Sequence, residues 1–266
     1  MLNQEKLNRE LSAAVYDQYE TATDDVEFIL SIVGKPPKKI LEVACGSGRI
    51  LVPLAKAGHT VTGFDMDEAM LDRIAPKAKG LANIHWYKGD AVQQDWGTGF
   101  DAVVLAGNIL FNIESELGNA KAQELFIQKA AAALVPGGHL YIGYAPYASN
   151  GRTLTKAGQS CEDDGSIVWS WEGTDDQGNF EKASITNGAF CEETGLLKFK
   201  RFLLQRSADG NEIRKETEET KHYASLDEIH RWLWDAGFSL EFEYENFQRK
   251  PVDENSTEVI LYAKKN

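Results

Sequence analysis

Cationic residues are scarce in this chain: 28 Lys and Arg stand against 41 Asp and Glu, a net charge of −13 with His neutral. A nucleic-acid backbone is held by a Lys/Arg surface, so this balance argues against DNA or RNA as a partner. It suits a small-molecule enzyme and favours neutral or cationic ligands, although acidity also serves solubility alone. Cysteine is scarce too. Cys45, Cys161 and Cys191 have spacings that fit neither a disulfide framework nor a zinc site. The five histidines, His59, His85, His139, His222 and His230, make no metal-ligand cluster of recognisable spacing, so no metal is expected. The start, Met-Leu-Asn-Gln-Glu-Lys, has no signal-peptide pattern, and with the isolated cysteines it reads as a reduced, cytoplasmic protein. No apolar run approaches the roughly 20 residues of a membrane span, and no membrane partner is expected. Repeats and low-complexity segments are absent. A length of 266 residues allows one large α/β domain or two small ones.

What is present is an apolar strand that runs into a loop of small residues, Ile-Leu-Glu-Val-Ala-Cys-Gly-Ser-Gly over 40–48. A second strand, Val61-Thr62-Gly63-Phe64, ends in Asp65. An acid at the tip of the second strand, after a glycine-rich first turn, is how an open parallel sheet holds a ribose. The fingerprint G-x-G-x-x-G for a dinucleotide would need a third glycine where Leu51 stands. The loop instead reads E-x-A-x-G-x-G, headed by Glu42. A carboxylate there repels a pyrophosphate but suits a ligand with a zwitterionic amino-acid end. Taken alone, Gly-Ser-Gly also makes an ordinary tight turn.

The rest of the chain sets this loop in a doubly wound frame. Residues 4–33 read as helical from Leu7, Leu11, Val15, Val26, Leu30 and Val33. Strands are expected at 38–43, 60–65, 83–88, 101–106 and 139–144, with helices at 48–57, 67–79 and 118–134 between them. This alternation predicts an α/β, Rossmann-like, mainly parallel seven-stranded sheet with helices on both faces. Residues 150–223 change character to short alternating runs separated by turns, an inserted antiparallel meander acting as a lid or subdomain. A capping box, Ser225-Leu226-Asp227-Glu228, opens one more helix, and strands at 238–246 and 257–264 close the sheet. The expected division is therefore 1–149, 150–223 and 224–266.

The E-x-A-x-G-x-G loop with Asp65, and Asp90 after a third strand, resembles the class I S-adenosylmethionine (SAM) dependent methyltransferases. The resemblance implies SAM as methyl donor. It assigns the ribose hydroxyls to Asp65, the adenine edge to Asp90 and Ala91, the adenine face to Met66, and the methionine end to Glu42, Ala44, Cys45 and Gly46. Ala106, at the end of the fourth strand, completes the donor side. Phe100-Asp101-Ala102-Val103-Val104 leading into Gly107-Asn108, Pro136-Gly137-Gly138 before a strand, and Tyr147 resemble glycine N-methyltransferases. Val15-Tyr16-Asp17-Gln18-Tyr19 and the meander resemble the aminosugar N-methyltransferases. There, aromatic residues close over donor and acceptor, which makes Tyr16, Tyr19, Asn108 and Tyr147 the acceptor-side candidates. Each has a plain structural alternative: a packed tyrosine, or a loop asparagine. Trp169 and Trp171, two apart on one strand, either anchor the meander on the core or line an acceptor pocket.

Glycine N-methyltransferases hold the substrate carboxylate with an arginine, and the matching position here is Ala145. Glycine is therefore not the expected acceptor. Methyl transfer from a sulfonium needs mainly proximity and orientation, and an amine needs only to lose one proton. Of the histidines only His222, expected on the surface, lies where it could reach the site. With no evident base for an oxygen nucleophile, the balance tips toward nitrogen. The alternatives are an O-methyltransferase of a small hydroxylated metabolite, a SAM-binding regulator without turnover, and a nicotinamide-dependent oxidoreductase. The expected assembly is a monomer or homodimer.

Overall fold

The structure, a computed structural model, describes residues 4–113, 115–147, 152–156 and 158–266, with side chains from Asn8 onward. The boundary expected at 149/150 lies outside the described residues. The chain opens with two helices, α1 (Gln4–Tyr19) and α2 (Asp24–Ile32), where one continuous helical stretch was expected. Thr21-Ala22-Thr23 interrupts the ladder, and Asp24, Asp25 and Glu27 crowd the first turn of α2, where the helix dipole favours acids.

The chain divides into two compact units. The larger holds the described residues of Thr23–Pro146, Thr153–Lys156 and Ala224–Asn266. Here β1 (Lys39–Val43), α3 (Leu51–Lys56), β2 (Thr60–Asp65), α4 (Glu68–Leu71), α5 (Ile74–Lys77), β3 (Ile84–Lys88), β4 (Phe100–Leu105), α6 (Ile109–Asn112), α7 (Asn119–Ala133) and β5 (Leu134–Tyr144) follow one another. The single helix expected over 67–79 is two short ones. Pro76 has no N–H and its ring opposes the carbonyl of Asp72, where α4 stops. Asp67 caps α4 as expected, accepting from the Ala69 N–H. Strand β5 begins five residues earlier than expected because Pro136-Gly137-Gly138 is absorbed as an irregularity against β4 rather than ending the strand. A Cβ on Gly138 would meet two carbonyl oxygens, of Val135 at 2.9 Å and Asp101 at 3.1 Å, so only glycine fits.

The smaller unit holds the described residues of Met1–Ala22, Tyr147–Arg152 and Ala157–Tyr223. It is an antiparallel sheet of β6 (Ile167–Thr174), β7 (Phe180–Thr186), β8 (Ala189–Cys191), β9 (Leu196–Arg206) and β10 (Glu212–His222), in the order β10-β9-β7-β6 with β8 beside β9. Helix α1 packs on β6 and β7: a Cβ on Gly173 would lie 2.8 Å from the Tyr19 ring. Gln205 and Ser12 both donate to the buried Glu181 carboxylate, at 2.8 and 2.5 Å.

The chain then returns to the larger unit with α8 (Leu226–Asp235), β11 (Phe238–Tyr244) and β12 (Val259–Lys265). The capping box forms, with Ser225 N–H on the Glu228 carboxylate at 2.9 Å and Glu228 N–H on the Ser225 hydroxyl at 3.3 Å. The finished sheet has seven strands, β11-β12-β5-β4-β1-β2-β3, parallel from β3 to β5 and antiparallel at β12 and β11. Val103, Val104, Leu105, Ile40 and Leu41 are wholly buried, as central parallel strands require. Chain order reverses between β1 and β4, the switch point where such sheets open a crevice at their carboxyl ends.

The segment after β1 packs closely on β2 at Gly63. A Cβ there would lie 2.9 Å from Cys45 Cβ, Cys45 Sγ and Leu51 Cδ1. Gly63→Ala is expected to destabilise the protein by about 1–3 kcal/mol through overpacking, seen as a lower midpoint in chemical denaturation.

Candidate active site

The loop leaving β1 winds through the left-handed region at alternate residues: Ala44 at φ 57°, Gly46 at φ 52° and Gly48 at φ 79°. Ala44 adopts this conformation in spite of its Cβ, a strain of roughly 1–2 kcal/mol. Gly48 packs against Ile74 and Val52, whereas a Cβ on Gly46 would meet nothing within 4 Å. The backbone at Gly46 therefore faces open space, as a loop that receives a ligand must. Cys45 is turned the other way: its thiol is buried against Gly63, and burial pushes its pKa far up. Its backbone is used to hold the loop: the Cys45 N–H donates to the Phe64 carbonyl at 3.0 Å and its carbonyl accepts from the Gly48 N–H at 2.9 Å.

Beneath this loop lies Glu42, 4 % exposed, and its Oε2 has no hydrogen-bond partner. Burial drives its pKa well above the ordinary carboxylate range. Arg49 and the Leu51 N–H pull it down, while Asp25 and Asp65 push it further up. Arg49 is engaged by Asp25 in a two-pronged pair at 2.6 and 2.5 Å, so its charge is largely spoken for. Sequence reading missed both residues. Asp25 stands 24 positions from Arg49, and no local periodicity links them.

Asp65 sits at the tip of β2. Its Oδ2 accepts from the Gly46 N–H at 2.9 Å and its Oδ1 from the Asp67 N–H at 2.8 Å. A carboxylate offers about four lone-pair sites, so each oxygen keeps capacity for a hydroxyl. Burial raises the Asp65 pKa, and these amide bonds oppose the shift. Met66, next along, is 66 % exposed, an apolar side chain left uncovered at the rim. Asp90 and Ala91 follow β3, and the Asp90 Oδ1 accepts from Val92 N–H at 2.8 Å.

Asn108 has φ 58° and clamps the ends of β4 and β5 together. Its Nδ2 donates to the Ala145 carbonyl at 2.7 Å and its Oδ1 accepts from the Ala145 N–H at 3.0 Å. Tyr16, Tyr19 and Tyr147 all belong to the smaller unit. Tyr19 meets Trp171 edge-on at 6.3 Å, and Tyr147 leans on Trp169 at 6.1 Å and on Phe199 at 5.9 Å. Both tryptophans of β6 thus pair with tyrosines that the sequence singled out. His222, expected on the surface, is buried at 4 % exposure beneath Gly195.

Beside Ala106 and Asn108 opens a cavity of about 260 Å³, at the carboxyl ends of β4 and β5 and under the connection from β11 to β12. Tyr141, Tyr144 and Phe247 form apolar walls, and Asp25, Glu245 and Glu258 bring carboxylates. Glu245 is held by Lys250 at 2.6 Å and Ser256 at 2.9 Å. Desolvation, then the neighbouring Glu245, pushes the Glu258 pKa up. Nothing in the sequence pattern distinguished Glu245 or Glu258 from other acids beside a strand.

Residues 40–138 match the family described as a methyltransferase domain. Over these residues the chain carries a SAM-dependent methyltransferase domain. A Geobacillus sp. (strain WCH70) protein named only as a methyltransferase is 24 % identical over 229 residues, covering 86 % of this chain and 85 % of that one. Glycine N-methyltransferase of Rattus norvegicus is 29 % identical over 122 residues, 41 % of each chain. Among solved structures, a SAM-bound amino pentose methyltransferase from Micromonospora echinaspora shares the fold at a TM-score of 0.62 and 16 % identity, over 93 % of this chain and 91 % of that one.

The residues around the loop are compatible with SAM as methyl donor: Met66 leaves an apolar side chain uncovered, the backbone at Gly46 faces open space, and one buried Glu42 oxygen has no hydrogen-bond partner. Among the described residues no group of three His, Cys, Asp or Glu side chains is placed to hold a metal, and no helix is long and apolar enough to cross a membrane.

Two predictions follow from these side chains. A carboxyl whose folded pKa is raised adds stability only below its unfolded pKa and loses it as pH climbs through the folded value. Glu42→Gln should therefore raise the thermal midpoint at neutral pH by roughly 2–4 °C per kcal/mol relieved, leave it unchanged in acid, and weaken SAM binding. Asn108→Gly should cost about 1–3 kcal/mol by losing the clamp. Asn108→Ala should cost about 1 kcal/mol more because its Cβ opposes the left-handed backbone. Urea midpoints of the two variants test both statements.

Proposed function

We propose that this methyltransferase moves the methyl group of SAM to a nitrogen atom of a small molecule. The cavity beside Asn108 carries the reading. It adjoins Ala106 on the donor side, its volume suits a small acceptor, and its walls combine aromatic faces with Asp25, Glu245 and Glu258. Asp25 and Glu245 are already paired with Arg49 and Lys250, so it is the aromatic faces together with the Glu258 carboxylate that favour a substrate arriving as an ammonium ion. The partial relationship to glycine N-methyltransferase and the shared fold with an amino pentose methyltransferase agree with it.

The sulfonium of SAM supplies an already activated methyl group. What remains for the protein is to orient and to accept a proton. Glu42 holds the amino-acid end of the donor, Asp65 its ribose, and Asp90 with Ala91 its adenine edge. Asn108 fixes the β4 and β5 ends between which the acceptor would approach, and so acts by position. Glu258, with its raised pKa, is the carboxylate suited to draw in an ammonium and receive the proton it must lose. By the resemblance, Tyr16 and Tyr19 are assigned to the acceptor side.

Labelled SAM offered with a panel of amines, aminosugars and phenols tests the reading. Label in amines is expected, and label confined to hydroxyl acceptors would overturn it. Glu258→Gln should raise KM for a cationic amine about three- to fivefold, the worth of an exposed charge pair. KM for SAM should be unmoved.

A further inference from the structure

One side chain of α7 grips the stretch after β3 from behind. Lys129 Nζ donates to three carbonyls, Ala91 O at 3.0 Å, Val92 O at 2.5 Å and Gln94 O at 2.7 Å. An ammonium has three donors and no acceptor, so all three are spent on this loop. Ala91 O also accepts from Trp96 Nε1 at 2.9 Å. Trp96 is itself buried between Phe64 and Phe126, with ring centres 6.1 and 5.3 Å away.

The same peptide groups are held from their other side. The N–H groups of Val92 and Gln93 donate to Asp90 Oδ1 at 2.8 and 3.3 Å. A peptide unit is planar, so the carbonyl of Ala91 and the amide of Val92 turn as one body, and so do the carbonyl of Val92 and the amide of Gln93. Each of these two units has Lys129 at its oxygen end and Asp90 at its nitrogen end. Bonds in such a chain polarise one another, so the ammonium sharpens the amides that aim the Asp90 carboxylate. Burial lowers the Lys129 pKa, and Asp90 is the first group that opposes the shift.

We propose that Lys129 is a positioning residue for the methyl donor: through the peptide units between 91 and 93 it orients the Asp90 carboxylate to receive the 6-amino group of adenine. This rests on the assignment of Asp90 to the adenine edge. Lys129 itself does not touch the base. If it only packed the loop, its loss would lower stability without changing which base the site prefers.

S-inosylhomocysteine, which carries a carbonyl where S-adenosylhomocysteine carries the 6-amino group, separates the two roles. Wild type should prefer the adenine ligand by about tenfold or more, the worth of a hydrogen bond to a charged group. In Lys129→Met that preference should fall to within about threefold, chiefly through weaker binding of the adenine ligand. KM for SAM should rise while kcat at saturating SAM holds. Asp90→Asn and the double variant Asp90→Asn/Lys129→Met should show the same ratio, because the two residues act as one unit. Lys129→Gln, which keeps two donors, should show an intermediate ratio and serves if the Met variant does not fold. A Lys129→Met protein that keeps the wild-type preference, or that loses both ligands equally, overturns the proposal. So does a wild type that binds both ligands alike, while leaving the donor site intact. Binding of neither ligand by wild type overturns the donor reading on which the proposal rests.

Discussion

A buried, half-satisfied carboxyl group under the loop that leaves β1 is the constraint on which this end of the sheet depends. Glu42 lies in the central strand of a parallel sheet, buried, with one oxygen unpartnered and with Asp25 and Asp65 nearby. Arg49 and the Leu51 N–H offset part of this burial, and Arg49 is shared with Asp25. A buried charge of this kind costs stability unless a cation completes it. In the donor assignment proposed above, the amino-acid end of SAM would bring that cation.

Around that centre, polar side chains are used mainly on backbone. Asp65 ties Gly46 and Asp67, Asn108 ties the backbone N–H and carbonyl of Ala145, and Lys129 ties three carbonyls of the loop after β3. Loops at the carboxyl ends of parallel strands have no ladder to hold them, and their orphan amides and carbonyls need partners. A rigid frame matters for this chemistry, because the sulfonium is already reactive and the protein's contribution is placement.

Much of this was legible in the amino-acid order. The strand–loop–strand pattern from Ile40 to Asp65 dictated the parallel core, and the missing third glycine at Leu51 separated a SAM loop from a dinucleotide loop. Local signals with one cause, such as the Ser225–Glu228 capping box, held in the structure. Signals with two competing causes did not. Gly137 and Gly138 mark a turn in isolation but sit inside β5, because β4 supplies a partner for the distorted strand. The helix expected over 67–79 overlooked Pro76. Pairings between distant elements were invisible: Asp25 with Arg49, Lys129 with the loop after β3, and the acids of the β11–β12 connection. Each depends on which helix or loop lands beside the crevice, and no short-range pattern encodes that.

Calorimetric titration with S-adenosylhomocysteine in two buffers of different ionisation enthalpy tests the central claim most directly. Binding at one site per chain, with proton release at mildly acidic pH that disappears in Glu42→Gln, is the predicted result. The proton leaves because the ligand's ammonium lowers a carboxyl pKa that burial had raised. Binding without any proton linked to Glu42 would contradict the electrostatic account, and no binding at all would contradict the donor site itself.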